Sequence, residues 1–181
     1  LTLAALTPSR LRESANSFRA NAGVGYSALR PRHLAHLSEA GLRALCRILH
    51  AIERLERFAA NAALALMRLI NKKTGGMRQI GLIDTIVRLY TRRRARDFKA
   101  DIECRLERPY FHAAPAKSAS GAAEHHALEA EAAIATPGFG AFSALFDLVK
   151  SFENITAAEV AAGLRALGLP TSFVKLLLSL Y

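Results

Sequence analysis

Apolar and polar positions change their period several times along the chain, and each change marks an element. Thr7-Pro8 followed by Ser9 to Arg19 reads as a capped helix, with Thr7 at the N-cap and Pro8 in the first helical position. The segment Asn21 to Ser27, carrying Gly23 and Gly25, ends it. From Pro31 to Leu55 the residues Leu34, Leu37, Leu45, Ile48, Ile52 and Leu55 recur at helical spacing and predict a helical stripe. Ala62 to Ile70 is apolar and fits helix or strand. Lys72-Lys73-Thr74-Gly75-Gly76 is a turn signal, and Met77 to Ile83 returns as a strand, so a hairpin with a basic tip is expected.

A long helix is expected next, with Ile83, Val87, Tyr90, Phe98, Ile102 and Leu106 on one face and Arg88, Arg92, Arg93, Arg96 and Lys99 on the others. Pro109 ends it. Lys117 to Ala135, rich in Ala and Glu, favours helix up to Pro137-Gly138. Ala141 to Asp147 alternates as a strand would, with Phe142, Ala144 and Phe146 on one face and Asp147 on the other. Helices from about Thr156 to Leu167 and from Thr171 to Leu180 follow, separated by Gly168 and Pro170. No internal repeat and no long linker divides the chain.

Composition narrows the class. The chain has 181 residues, 51% of them hydrophobic, which is enough for one ordinary core. Leu1 at the start and an apolar run into Tyr181 suggest that both ends are cut. No stretch approaches the roughly 18 apolar residues of a membrane span, so no membrane partner is expected. Cys46 and Cys104 are too few for a disulfide framework and form no CxxC, which fits an intracellular setting, cytoplasm or nucleus. The net charge is +10, and Arg68 to Lys99 holds ten Lys or Arg against Asp84 and Asp97. Such a surplus attracts polyanions.

Other chemistry is weakly represented. His33 and His36 have metal-compatible spacing without an acid or thiol partner nearby, and His125 and His126 are adjacent and diverge on a helix. No GxSxG or phosphate-loop pattern occurs.

The segment Phe146-Asp147-Leu148-Val149-Lys150-Ser151-Phe152-Glu153 places an acid at the end of an apolar strand, with an aromatic residue five positions on. It resembles the first catalytic motif of reverse transcriptases. Leu167-Gly168-Leu169-Pro170 and the run to Tyr181 are similar to a later stretch of the same family. Leu69 to Leu82 resembles its basic fingers hairpin, and Ala20 to Ser27 the small-residue segment that opens the domain. The order and spacing of these landmarks are similar to the non-LTR retrotransposon type. The chain departs from the pattern at Asn71 and Gln79, where prolines are usual, at Tyr26, where an Asp is usual, and at Glu153, which replaces a common Asp.

The resemblance implies an α+β fold: helix-rich fingers with a basic hairpin over residues 20–135, then the first strand and helices of a palm over residues 136–181. It implies an RNA-directed DNA polymerase that extends a DNA primer on an RNA template with deoxynucleoside triphosphates. Asp147 would be the catalytic ligand of two Mg²⁺ ions, helped by the Leu148 carbonyl. Phe152 would exclude a ribose 2′-hydroxyl. Lys72 or Lys73, with Arg78, would contact the triphosphate. The basic surplus from Arg68 to Lys99 separately points to Arg88, Arg92, Arg93 and Arg96 as contacts for nucleic acid. The family's second acidic motif would lie beyond Tyr181, so the fragment alone is expected to be inactive. The alternative is a non-catalytic basic helical module that binds nucleic acid, or a decayed mobile-element remnant.

Overall fold

A computed structural model describes residues 1–73, 75–106, 118–142 and 155–180. Among these the architecture is mixed helix and sheet, with helices α1 (Pro8–Asn16), α2 (Pro31–Ala35), α3 (Glu39–Leu55), α4 (Thr85–Leu106), α5 (Ala119–Ala135), α6 (Ala157–Ala166) and α7 (Thr171–Leu178). The sheet is one antiparallel pair, β1 (Ala65–Asn71) and β2 (Met77–Ile83). The expected strand Ala141 to Asp147 falls largely outside the described residues, and Ala141 and Phe142 have no regular structure. No helix among the described residues is long and apolar enough to cross a membrane.

The chain divides into two compact units, Leu1–Phe98 with Ala157–Tyr181, and Lys99–Thr156. In the first, α1 starts where the Thr7 hydroxyl accepts the Arg10 backbone N–H at 3.4 Å, with Pro8 in the first turn. The stripe from Pro31 to Leu55 is two helices rather than one. Ser38 breaks it: its side chain accepts the Gly41 N–H at 3.2 Å and opens α3 as a fresh cap. The buried face of α3 is Leu42, Leu45, Cys46 and Leu49, whereas Ile48 and Leu55 of the expected stripe are exposed.

α1 packs on α2 and α3, and α3 on α7. Leu11, Leu42, Leu49, Val87, Leu89, Val174 and Leu176 are sealed in this core. Four rings run through it: Phe58 meets Tyr90 edge-on at 5.6 Å, Tyr90 meets Phe173 at 6.2 Å, and Phe173 meets Phe98 at 5.2 Å. Edge-to-face and tilted rings at these separations are favourable beyond the apolar area they bury.

The hairpin forms as its sequence requires. Asn71 pairs with Met77, and Gly75 and Gly76 take φ +88° and +80°, a region glycine enters without a Cβ penalty. Every residue of β1 is exposed, so the pair is held by its ladder and by what touches its base.

In the second unit, Ser118 caps α5 by accepting the Gly121 N–H at 3.0 Å. α5 buries no residue, and its alanines and glutamates supply the helix by propensity.

Candidate nucleic-acid interface

The two-residue alternation of the strands sorts the hairpin's side chains. Arg78 stands opposite Ile70 and Arg68 opposite Ile80, so guanidinium and aliphatic groups alternate on one face, with Leu82 beyond them. Met67, Leu69, Met77 and Ile83 occupy the other face, and Lys72 and Lys73 stand at the turn. The cationic face borders a cleft of ≈ 360 Å³ lined by Val24, Arg30, Arg68, Ile70, Ile80 and Leu82. The side chains of Arg68, Lys72, Lys73 and Arg78 make no ion pair or hydrogen bond with any described residue. No acid occurs from Ala65 to Ile83, so the charge here is uncompensated locally.

The base of the hairpin is pinned by the glycine-containing loop. A Cβ on Gly25 would lie 2.7 Å from the Ile83 carbonyl oxygen and 2.8 Å from Asp84 Cα, so only glycine permits this crossing. The buried Asp84 carboxylate accepts the Ser27 N–H at 3.3 Å and the Ile86 N–H at 2.9 Å, tying the loop to the start of α4. The Thr85 hydroxyl donates to the Leu29 carbonyl, and the Arg88 guanidinium to the Gly23 carbonyl. Two segments more than fifty residues apart in sequence are thus tied together at one corner. Tyr26, at the tip of that loop, is 67% exposed.

The arginines of α4 are arranged differently. Arg92 lies over the Phe18 ring at 4.4 Å and donates to the Ser17 hydroxyl at 2.7 Å and the Ser17 carbonyl at 3.1 Å. It therefore complements the C-terminal end of α1. Arg88 also stacks on Phe18, at 5.4 Å, and Arg96 pairs with Glu13 at 3.0 Å. Arg93 is buried, with Nε and Nη2 on Asp97 at 3.1 and 2.6 Å and Nη1 on Glu13 at 3.4 Å.

Arg94, which the sequence did not single out, is fully buried. Its Nε donates to Glu53 Oε1 at 2.8 Å, its Nη2 also reaches Glu53, and its Nη1 bonds Asp97 at 3.0 Å and the Ala4 carbonyl. Arg10 completes the shell of Asp97 at 2.9 Å. The Tyr90 hydroxyl donates to Glu53 at 2.9 Å. Burial, and then the Glu53 charge, hold the Tyr90 hydroxyl protonated far above its ordinary range. Burial pulls the Arg94 pKa down, but its bonds to Glu53 and Tyr90 outweigh that and the net shift is upward. The expected apolar face of α4 is thus interrupted by Arg93 and Arg94, which turn inward because Glu53 and Asp97 meet them there.

Asp147, Leu148 and Phe152 lie outside the described residues. Among the described residues no group of three His, Cys, Asp or Glu side chains could hold a metal ion. The buried carboxylates of Asp84 and Asp97 are occupied by N–H groups of the chain itself. No family model, curated protein or solved structure matches the chain.

Sequence reasoning missed Asp84, Glu53 and Arg94. An acid immediately before an apolar-periodic run was a readable sign of Asp84 as a helix cap. Nothing local distinguishes Arg94 from its neighbours, because its partner Glu53 lies 41 residues away.

Proposed function

We propose that this chain is part of an RNA-directed DNA polymerase related to the non-LTR retrotransposon enzymes, and that its hairpin is the phosphate-contacting edge. The observation that carries the reading is the contrast between two groups of cations. Arg68, Lys72, Lys73 and Arg78 are free of partners among the described residues, whereas the nearby arginines of α4 are bound internally. Four unpaired charges on an exposed ladder, with aliphatic side chains between them, suit phosphate oxygens beside nucleobases or sugars.

Within this reading, Lys72 or Lys73 acts with Arg78 on the triphosphate of an incoming deoxynucleotide, and Arg68 on the template or primer backbone. The clamp at Gly25 and Asp84 fixes the hairpin's base so that the cations act from a rigid mount. The motif around Asp147 nominates Asp147 and the Leu148 carbonyl as holders of Mg²⁺, and Phe152 as the residue that excludes a 2′-hydroxyl. Mg²⁺, when bound, supplies the charge that activates a primer 3′-hydroxyl and supports the leaving pyrophosphate.

The test is primer extension on an RNA template by a chain that carries these residues together with the family's second acidic motif. Incorporation of deoxynucleotides that Asp147→Asn abolishes, with template binding retained, supports the reading. Phe152→Val should then admit ribonucleotides. Salt-dependent RNA binding without extension would leave a non-catalytic module instead.

A further inference from the structure

Arg43, Arg47, His50 and Arg54 follow one another on α3 at spacings of four, three and four, so they form a single row along the helix. At about 1.5 Å per residue the row is about 16 Å long. It is mounted on a rigid element, because Leu42, Leu45, Cys46 and Leu49 of the same helix are locked in the core. Its middle opens on a cleft of ≈ 650 Å³ whose lining includes Arg47, His50, Glu53, Arg54, Glu56 and Ser172.

The acids in that cleft are already committed. Glu53 is held by Arg94 and Tyr90, and Glu56 pairs with Lys175 at 2.8 Å. Arg47 and Arg54 make no ion pair or side-chain hydrogen bond with any described residue. A solvated helix face of the ordinary kind offsets its arginines with acids three or four positions away. Here those positions are Arg43, Ala44, His50 and Ala51 around Arg47, and His50 and Ala51 on the helical side of Arg54, which stands in the last turn of α3. His50 Nε2 accepts the Leu6 N–H at 3.3 Å, which puts the hydrogen of the neutral ring on Nδ1 as a further donor. Among the described residues the one ion pair of Arg43 is with Glu39, at 3.8 Å and in the open, a contact worth little.

We infer that this row of α3 is a second nucleic-acid site, which takes the phosphodiester backbone of a strand and shares no residue with the hairpin. Guanidinium forks fit phosphate oxygens, and a linear row suits a polymer rather than one compact anion. An anionic lipid surface fits less well. The exposed apolar residues Ile48 and Leu55 lie on the opposite flank of the buried face, so a membrane touching the arginines would leave them unburied.

The experiment measures a fluorescent oligouridylate binding to the full 181-residue chain over a range of salt. Three double variants, each removing two charges, are compared with the parent: Arg47→Gln with Arg54→Gln, Arg68→Gln with Arg78→Gln, and Arg19→Gln with Arg165→Gln. Arg19 and Arg165 are exposed and belong to neither surface. The α3 pair should weaken binding and flatten the log-log salt slope by about 1.4, which is two single-strand phosphates. Arg47→Lys with Arg54→Lys should keep the slope, which excludes misfolding as the cause. An unchanged slope in the α3 pair, or an equal loss in the Arg19 and Arg165 control, overturns the inference. So does α3-dependent binding to phosphatidylserine vesicles without any for RNA. Loss in the hairpin pair alone would sink this site and leave the proposed function standing.

Discussion

Arg94 of α4 and Glu53 of α3 face each other at 2.8 Å with the guanidinium fully buried, and this contact decides which way the densest basic run of the chain points. Asp97 receives Arg94, Arg93 and Arg10 together, so one helix turn holds two arginines against the core. A charge run that would otherwise be solvated is thereby converted into a tie between α1, α3 and α4.

Removing Arg94 should therefore unfold more than a surface mutation does. Arg94→Met keeps bulk but leaves Glu53 with the Tyr90 hydroxyl and no cation among the described residues, and takes one of three guanidinium groups from Asp97, whose side chain is only 3% exposed. Breaking a buried pair from one side costs about 3–5 kcal/mol. Urea unfolding followed by circular dichroism checks it; a loss under about 1 kcal/mol would mean the network carries little.

Tyr90 sets an alkaline limit. Its hydroxyl pKa is raised in the fold, so the protonated form is the one the fold prefers. That stability is present in full below the ordinary tyrosine value of 10.0 and is lost as pH rises above it, since the unfolded chain then releases a proton that the folded chain keeps. Tyrosinate absorbance from Tyr90 should accordingly appear together with the loss of helical signal. Tyr90→Phe should remove this part of the pH dependence. An ionisation of Tyr90 that precedes unfolding would contradict the buried Glu53 contact.

The hairpin was legible because its signals are local: a double glycine, basic residues at the turn and apolar runs on either side. The second strand, Met77–Ile83, has the limits its sequence predicts, whereas Ala62 to Ile70 fits helix or strand by sequence and forms a strand only from Ala65 to Asn71. The helix expected over Pro31 to Leu55 failed at Ser38, where a capping side chain restarts the helix and rotates the buried face onto Leu42, Cys46 and Leu49. The inward turn of Arg93 and Arg94 was illegible for a different reason. Five consecutive positions from Arg92 to Arg96 hold four arginines, and only the fold brings Glu53 to the one that is sealed.

Gly25 offers a direct test of the clamp at the hairpin's base. Gly25→Ala puts a methyl within 2.7 Å of a backbone oxygen that belongs to β2, and neither segment can yield without disturbing the Asp84 cap. Overpacking of this kind costs about 1–3 kcal/mol. The urea midpoint should fall while its slope stays constant. Gly138→Ala, whose added methyl meets nothing within 4 Å but whose φ is +82°, separates the two causes, because there only backbone strain is added.

The outward hairpin cations and the inward α4 arginines should separate cleanly in one pair of measurements. If Arg68, Lys72, Lys73 and Arg78 each neutralise one phosphate of a primed duplex, together they account for a log-log salt slope of about −3.6. Replacing all four by Gln should remove that share of the slope. Because none of them bonds to a described residue, the melting temperature should stay where it was. Arg93→Gln should do the reverse. Its guanidinium lies against Asp97 and Glu13, so its loss lowers the melting temperature while the salt slope is kept. A charge already spent on a buried carboxylate neutralises no phosphate and so displaces no counterions from nucleic acid, whereas an unpaired one on an exposed strand does. Measuring both quantities on both variants checks the distinction. A hairpin variant that melts early with an unchanged slope would show that these four cations hold the fold together rather than contact phosphate.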